Sequence, residues 1–211
     1  MGLSQQSPIN LQNPVVTDFG KDGLQIKWQK SAIGHIKKDD HGVQVVFGAD
    51  ERQYVLLNRR KYHLVQFHFH HPSEHWIDGK QQTMELHVVH QHIEDGSRVV
   101  VGIFIEPTDE GATVPDLFGQ IKAFAAERAL VPEKHTTTNP LAFLPKDTEH
   151  YYRYEGSLTT PEYDENVSWV VLKEPLRLPK KEVVEMIKLF QHPARLPQPL
   201  NRRFLLANFR S

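Results

Sequence analysis

The sequence predicts a mainly β fold, a single domain over residues 1–211 with a central, mostly antiparallel, twisted sheet and short peripheral helices. Three observations support this prediction. Many segments have the length and composition of strands, only two have helical periodicity, and the two kinds do not alternate as in parallel α/β folds. A chain of 211 residues is long enough for one sizeable core and short for two.

The predicted strands are rich in Val, Ile, Phe, Tyr and Leu, which pack well on a pleated surface, and they are bounded by Gly, Asp, Asn or Pro. In chain order they are Leu24–Trp28, Val43–Phe47, Tyr54–Leu57, His63–His70, Met84–His90, Arg98–Ile105, Ser168–Leu172 and Phe204–Ala207.

Two segments, Pro115–Ala129 and Pro179–Phe190, place apolar side chains at three- and four-residue steps, the spacing of one helix face. The apolar positions are Leu117, Ile121, Phe124 and Ala125 in the first segment, and Val183, Val184, Ile187 and Phe190 in the second.

Composition excludes several classes of function. The formal net charge of −1 gives no strong attraction to nucleic acid or to an anionic membrane, and no apolar run reaches the ~20 residues of a spanning helix. The absence of Cys excludes disulfides, thiolate catalysis and Cys-based zinc sites. Without a recognisable signal peptide, a cytoplasmic location is slightly favoured, with a periplasmic or secreted protein that has lost its signal as the alternative.

Histidine is abundant, with 13 residues, and the most informative stretch runs from Gln66 to His75. Successive strand residues point to opposite faces. Gln66, His68 and His70 should therefore share one face, while the intervening phenylalanines anchor the other face in a core. Two imidazoles at this spacing can bind one ion, although an isolated His-x-His on a strand is more often a surface feature.

The predicted strand Met84–His90 supplies a third imidazole. Glu85, His87 and Val89 share one of its faces. If this strand is an antiparallel neighbour, His87 comes close to His68 and His70. Three neutral imidazoles with one open position are typical of a catalytic rather than a structural zinc site.

The chain resembles the α-class carbonic anhydrases from Gln6 to its C-terminus, and three motifs in this order make the resemblance specific: QFHFH at 66–70, ELHVVH at 85–90 and GSLTTP at 156–161. Further matching stretches are QSPIN at 6–10, SEHW at 73–76, VGIF at 101–104, WVVLKEP at 169–175 and QPLN at 198–201.

The resemblance implies a conical site with zinc at its base and a role for each matching residue. The implied zinc ligands are His68, His70 and His87, with Gln66 and Glu85 orienting two of them. Thr159 and Glu74 would form a hydrogen-bonded pair that orients zinc-bound hydroxide. The implied substrate contacts are Val89, Val100, Leu158, Thr160 and Trp169.

The implied activity is reversible hydration of carbon dioxide to bicarbonate and a proton by zinc-hydroxide attack, with inhibition by sulfonamides. The alternatives are a non-catalytic relative that serves as a binding module, or a zinc hydrolase with mainly esterase activity. The expected partners are these small molecules, with no nucleic acid and no membrane, and the expected state is a monomer or homodimer.

Two histidines compete for the role of proton shuttle. His41 has the family's downstream context, since Val43-Gln44-Val45 follows it, whereas His35 has the preceding Gly. His41 is the preferred candidate. The sequence departs from the family in having five residues before Gln6 instead of an aromatic-rich segment, and in lacking the disulfide common in bacterial members. We expect slower proton release, because the resemblance implies that the aromatic segment supplies a tyrosine to the water network of the site.

Overall fold

The computed structural model describes residues 4–39, 42–48, 50–126, 134–190 and 193–210. These residues form sixteen strands and two α-helices. The strands are β1 (Asn10–Leu11), β2 (Val15–Val16), β3 (Gln25–Lys27), β4 (Ala32–Asp39), β5 (Gly42–Phe47), β6 (Tyr54–Leu57), β7 (Arg60–His70), β8 (Trp76–Ile77), β9 (Lys80–Gln81), β10 (Met84–Gln91), β11 (Arg98–Thr108), β12 (Lys134–Thr138), β13 (Tyr151–Gly156), β14 (Val167–Leu172), β15 (Leu176–Pro179) and β16 (Leu206–Ala207). The helices are α1 (Asp116–Ala126) and α2 (Lys180–Ile187), and neither has the length and apolar content needed to cross a membrane.

The predicted fold class is confirmed. Thirteen strands form one mixed sheet, and the remaining three, β1, β8 and β9, form a small second sheet. Most pairings in the large sheet are antiparallel, and the parallel ones join β11 to β14 and β15, and β16 to β2. Each of the eight predicted strands overlaps an observed one, although only Leu206–Ala207 of the last segment is a strand. Both predicted helices are present. The first begins one residue after Pro115, and the predicted residues 127–129 lie outside the described residues. The second follows its N-cap Pro179 and ends at Ile187, three residues earlier than predicted.

The centre of the large sheet runs in the order β5-β7-β10-β11-β14-β13. Strand β10 lies between β7 and β11 and is antiparallel to both, and seven of its eight residues are buried. A central strand covered on both faces has no solvent-exposed side, so β10 buries the polar residues Glu85, His87 and His90 together with its apolar ones.

The two faces of the sheet pack into separate hydrophobic clusters. On one face, Phe67 and Phe69 of β7 pack with Phe118 of α1, as the alternation of β7 predicts. On the other face, Val89 and Trp169 pack with segments from both ends of the chain. The histidines of β7 lie on this second face, between a rigid sheet and the terminal segments that cover it.

Candidate metal centre and active site

Strand pairing brings three imidazoles together. His68 on β7 lies directly opposite His87 on β10, and His70 is two residues farther along the same face of β7. The ring centroids are 4.9 Å apart for His68 and His70, 5.1 Å for His68 and His87, and 4.5 Å for His70 and His87. One nitrogen from each ring lies within 4.8 Å of the other two, so a single ion can contact all three.

Two of these rings have a polar neighbour on the side away from the cluster. His68 Nδ1 donates to Gln66 Oε1 at 3.0 Å. His87 Nε2 lies 3.0 Å from Glu85 Oε1, although the angle falls outside hydrogen-bond geometry. Such neighbours hold a ligand histidine in one tautomer and orientation. They favour Nε2 of His68 and Nδ1 of His87 as the metal-binding atoms.

Glu85 is a fully buried carboxylate at the centre of a hydrogen-bond network. Its Oε2 accepts the backbone N–H groups of Glu74 at 3.0 Å and His75 at 2.8 Å, and its Oε1 lies 2.7 Å from His75 Nδ1. On β11, Gly102 leaves room for it, because a Cβ there would lie 3.0 Å from Glu85 Oε1. Burial alone would raise the pKa of Glu85, but His75, His87 and these hydrogen bonds hold that pKa well below its usual range.

The network continues from His75 to the N-terminal segment. His75 Nε2 lies 2.7 Å from the hydroxyl of Tyr154, which lies 3.0 Å from Ser7 Oγ. Ser7 Oγ also accepts the backbone N–H of Ser157 at 3.0 Å. The approach is close enough that a Cβ on Gly156 would lie 2.2 Å from Ser7 Oγ. Sequence reasoning did not find His75 or Tyr154 as members of this site.

A second buried carboxyl, Glu74, points towards the imidazoles. Its Oε2 lies 3.5 Å from His70 Nε2 and 3.9 Å from His87 Nδ1. Its Oε1 accepts the backbone N–H of Arg195 at 3.1 Å. Burial raises the pKa of Glu74, while His87, the nearby Thr159 hydroxyl and the Arg195 N–H partly offset that rise.

A cavity of about 500 Å³ opens beside these groups, and His70, Glu74, Thr159 and Thr160 contribute to its lining. The remaining predicted substrate contacts lie elsewhere among the described residues. Val89, Val100 and Trp169 are buried in the hydrophobic cluster on the site's face of the sheet, and Leu158 packs against it. The Trp169 ring centroid is 4.8 Å from that of His87, so this apolar wall reaches the imidazole cluster.

Of the two proton-shuttle candidates, only His35 lies among the described residues. His41 lies outside the described residues. His35 lies on β4, opposite Val46 of β5, which is itself opposite Gln66. His35 therefore shares the site's face of the sheet but is two strands away from β7, and its ring packs edge-on against His135 at 6.0 Å.

The donor set fits a metal of the zinc type. Within the described ranges, His70 Nε2 is buried without a hydrogen-bond partner, and so are Glu74 Oε2 beside it and His87 Nε2. Buried polar atoms without partners are costly, which indicates that an absent group completes the cluster. Burial and the neighbouring His87 hold the pKa of His70 well below its usual value, so the imidazole is neutral, as a metal ligand must be.

The chain belongs to the eukaryotic-type carbonic anhydrase family, whose model matches residues 1–211. It is an enzyme of the carbon–oxygen lyase class that acts on carbon dioxide. The chain is similar to a carbonic anhydrase of Nostoc sp., with 35% identity over 96% of this chain and 75% of that protein. A carbonic anhydrase of Pectobacterium atrosepticum is 34% identical over 95% of this chain and 79% of its own length. Among solved structures, the α-carbonic anhydrase of Thermovibrio ammonificans bound to sulfanilamide has a TM-score of 0.80 and 30% identity, covering 96% of this chain and 86% of that one.

Proposed function

We propose that this chain hydrates carbon dioxide reversibly at one zinc ion held by His68, His70 and His87. The observation that carries the proposal is the meeting of three imidazoles around one point, with a buried nitrogen of His70 that has no hydrogen-bond partner in the part of the chain that the structure describes. When bound, zinc lowers the pKa of a water molecule to about 7, as is established for carbonic anhydrases, and supplies hydroxide as the nucleophile at neutral pH.

The protein's own contribution begins with the orientation of the ligands. Gln66 fixes the ring of His68 through Nδ1, and Glu85 lies against the ring of His87. These contacts place the metal-facing nitrogens in position before the ion arrives, so that little ordering is needed on binding.

Thr159 and Glu74 form the gate in this proposal. Glu74 accepts a hydrogen bond from the Thr159 hydroxyl. The Thr159 oxygen can then only accept a hydrogen bond from the attacking hydroxide. This fixes the direction of the attacking lone pair, which is a positioning effect. The Thr159 hydroxyl lies close enough to Glu74 to affect the pKa of the carboxyl. A cation at the imidazole cluster would favour the ionised form of Glu74 that this step requires.

Carbon dioxide has no charge and offers weak hydrogen-bond acceptors, so a dry apolar surface suits it better than polar groups. Val89, Val100 and Trp169 supply that surface beside His87, with Leu158 packed against them. Thr160 lies in the polar lining of the cavity, where it would contact bicarbonate. A sulfonamide, which carries an ionisable nitrogen and an acceptor for the Thr159 amide, should inhibit the enzyme.

The experiment combines metal analysis with stopped-flow carbon dioxide hydration. The wild-type protein should hold one zinc per chain. Thr159→Ala should keep the zinc and lose roughly 100-fold in kcat/KM, because the ligands are untouched and the orientation is lost. The matched control is Thr159→Ser, which keeps the hydroxyl and should keep most of the activity. Zinc at one per chain with no hydration activity in the wild type would refute the proposal.

For the proton shuttle we propose His41, because an imidazole with a pKa near 6.5 relays protons well at neutral pH. His41→Ala should lower kcat in dilute buffer, and concentrated imidazole should restore it, while kcat/KM stays unchanged. If kcat in dilute buffer is unaffected, His41 is not the shuttle, and His35→Ala is the next variant to measure.

A further inference from the structure

The two partners of the proposed gate depend on segments that are far apart in the sequence. Thr159 lies in the segment 157–165, which connects β13 to β14. Glu74 receives its backbone donor from Arg195, which lies in the segment 193–203. The relative placement of these two segments therefore decides whether the hydroxyl and the carboxyl meet.

Gln6 bridges the two segments. Its side-chain Nε2 donates to the carbonyl oxygen of Tyr163 at 3.2 Å and to Glu165 Oε1 at 2.9 Å, both in the segment of Thr159. Its Oε1 accepts from Arg195 Nη2 at 2.9 Å, and its backbone carbonyl accepts from Arg203 Nη2 at 2.8 Å. One amide side chain thus spans both parts of the gate without reaching the imidazoles.

Arg195, which lies in the segment 193–203, contacts both the N-terminal stretch and the segment of Thr159. Its Nη1 donates to the carbonyl oxygen of Ser7 at 2.6 Å, and its guanidinium lies 3.9 Å from the centroid of the Tyr163 ring. Because the guanidinium is planar and has five donors, it can hold a carbonyl, an amide oxygen and a ring face at once, which a lysine cannot do. These contacts leave the Arg195 backbone N–H aimed at Glu74 Oε1.

We infer that Gln6 and Arg195 form a clamp that positions the gate, holding the Thr159 segment and the Glu74 donor in register from outside the cavity. Both are positioning residues, since they act through Thr159 and Glu74. The inference rests on the proposed gate. It adds that the N-terminal QSPIN stretch, of which only Asn10 lies in a strand, is part of what sets the rate of the chemical step.

The test uses Arg195→Met and Gln6→Ala in the full chain, with two measurements. Amide hydrogen exchange of the metal-free protein reports the clamp directly. The Arg195 amide, which donates to Glu74, and the Tyr163 amide, which donates to Thr160, should exchange about tenfold faster, while the amides of β7 and β10 keep their protection. In the zinc-loaded protein, kcat/KM for hydration should fall about tenfold at unchanged zinc content. Arg195→Lys, which keeps the charge but not the fork of donors, should lie between wild type and Arg195→Met.

The control is Arg153→Met. Like Arg195, Arg153 combines side-chain hydrogen bonding with an aromatic contact: its Nη1 donates to Asn58 Oδ1 at 3.1 Å, and its guanidinium lies over the ring of Phe19. These contacts are away from the gate. The control variant should lower the melting temperature without changing kcat/KM. The clamp is refuted if Arg195→Met and Gln6→Ala keep wild-type kcat/KM, if activity falls without faster exchange at Arg195 and Tyr163, or if Arg153→Met loses as much activity. Full activity in Thr159→Ala would instead refute the gate, so the two failures are distinguishable.

Discussion

Two groups of side chains share His87 and have nearly the same composition, yet their chemistry differs. His68, His70 and His87 form one group, and His75, Glu85 and His87 form the other, and in both the ligand-type atoms lie within 4.8 Å of one another. In the second group, Glu85 accepts from His75 and from two backbone amides, so Glu85 and His75 hold each other, while His87 Nε2 lies near Glu85 without a hydrogen bond. In the first group, neither His70 Nε2 nor Glu74 Oε2 beside it has a hydrogen-bond partner among the described residues.

The comparison shows that proximity of metal-binding residue types does not by itself define a metal site. In the second group, three donors from the protein already hold the Glu85 carboxylate, so Glu85 acts as a scaffold. A cluster that leaves a buried nitrogen unpaired has a cost that a bound ion would remove. His87 belongs to both because its two ring nitrogens face different groups, Nδ1 towards Glu74 and Nε2 towards Glu85.

The largest expected effect comes from removing the shared residue. His87→Ala should reduce the zinc content from one ion per chain to nearly none and abolish hydration, because two imidazoles hold zinc far less tightly than three. Metal analysis after dialysis against a weak chelator measures this. His150→Ala, at an exposed histidine paired with Asp147, is the control and should keep its zinc. Full zinc occupancy in His87→Ala would show that the ion binds elsewhere.

A next, smaller effect should follow from changing the scaffold group alone. Glu85→Gln places an NH₂ group where three N–H donors converge, so we expect a loss of about 3–5 kcal/mol in the unfolding free energy of the metal-free protein. Zinc affinity should also fall, by roughly 10–100-fold. Urea denaturation measures the first and chelator competition the second. Glu155→Gln, at an exposed carboxylate that accepts from Ser168, should cost at most ~1 kcal/mol. If Glu85→Gln were as stable as wild type, the second group would not be a scaffold.

The smallest effect is expected from Gln66→Ala. Gln66 contacts only the outer side of His68 and is partly buried, so its loss should weaken zinc binding by about tenfold, at the lower end of such effects, and leave urea stability within ~1 kcal/mol of wild type. If Gln66→Ala and Glu85→Gln lost equal amounts of zinc affinity, or of stability in urea, there would be no distinction between an orienting contact and a scaffold.

The faces of the ligand strands could be predicted from the sequence because a strand alternates with a period of two. That rule placed Gln66, His68 and His70 together and Glu85 with His87, and the structure has the same arrangement. The pairing of His87 with His68 was an assumption at that stage. It depends on the register between β7 and β10. That register shifts at an irregularity between Val89 and His90, which no local sequence pattern predicts.

Two kinds of feature were missed. Strands β4 and β13 carry charged residues among their apolar ones, Lys37 and Lys38 in the first and Arg153 and Glu155 in the second, so neither has the apolar run used to find strands. The contact of Arg195 with Glu74 joins residues 121 positions apart. Its donor is a backbone N–H, which every residue except proline carries, so side-chain chemistry gives no sign of it.

Strand β7 presents His68 and His70, two of the proposed zinc ligands, on one face and Phe67 and Phe69 on the other, in the core. Metal binding and folding are consequently linked by mass action, because the unfolded chain cannot hold three imidazoles at one point. Free zinc at 1,000 times its dissociation constant would add about 4 kcal/mol to the unfolding free energy. The melting temperature of this enzyme should therefore rise with zinc concentration, and a chelator should lower it to the value of the metal-free protein.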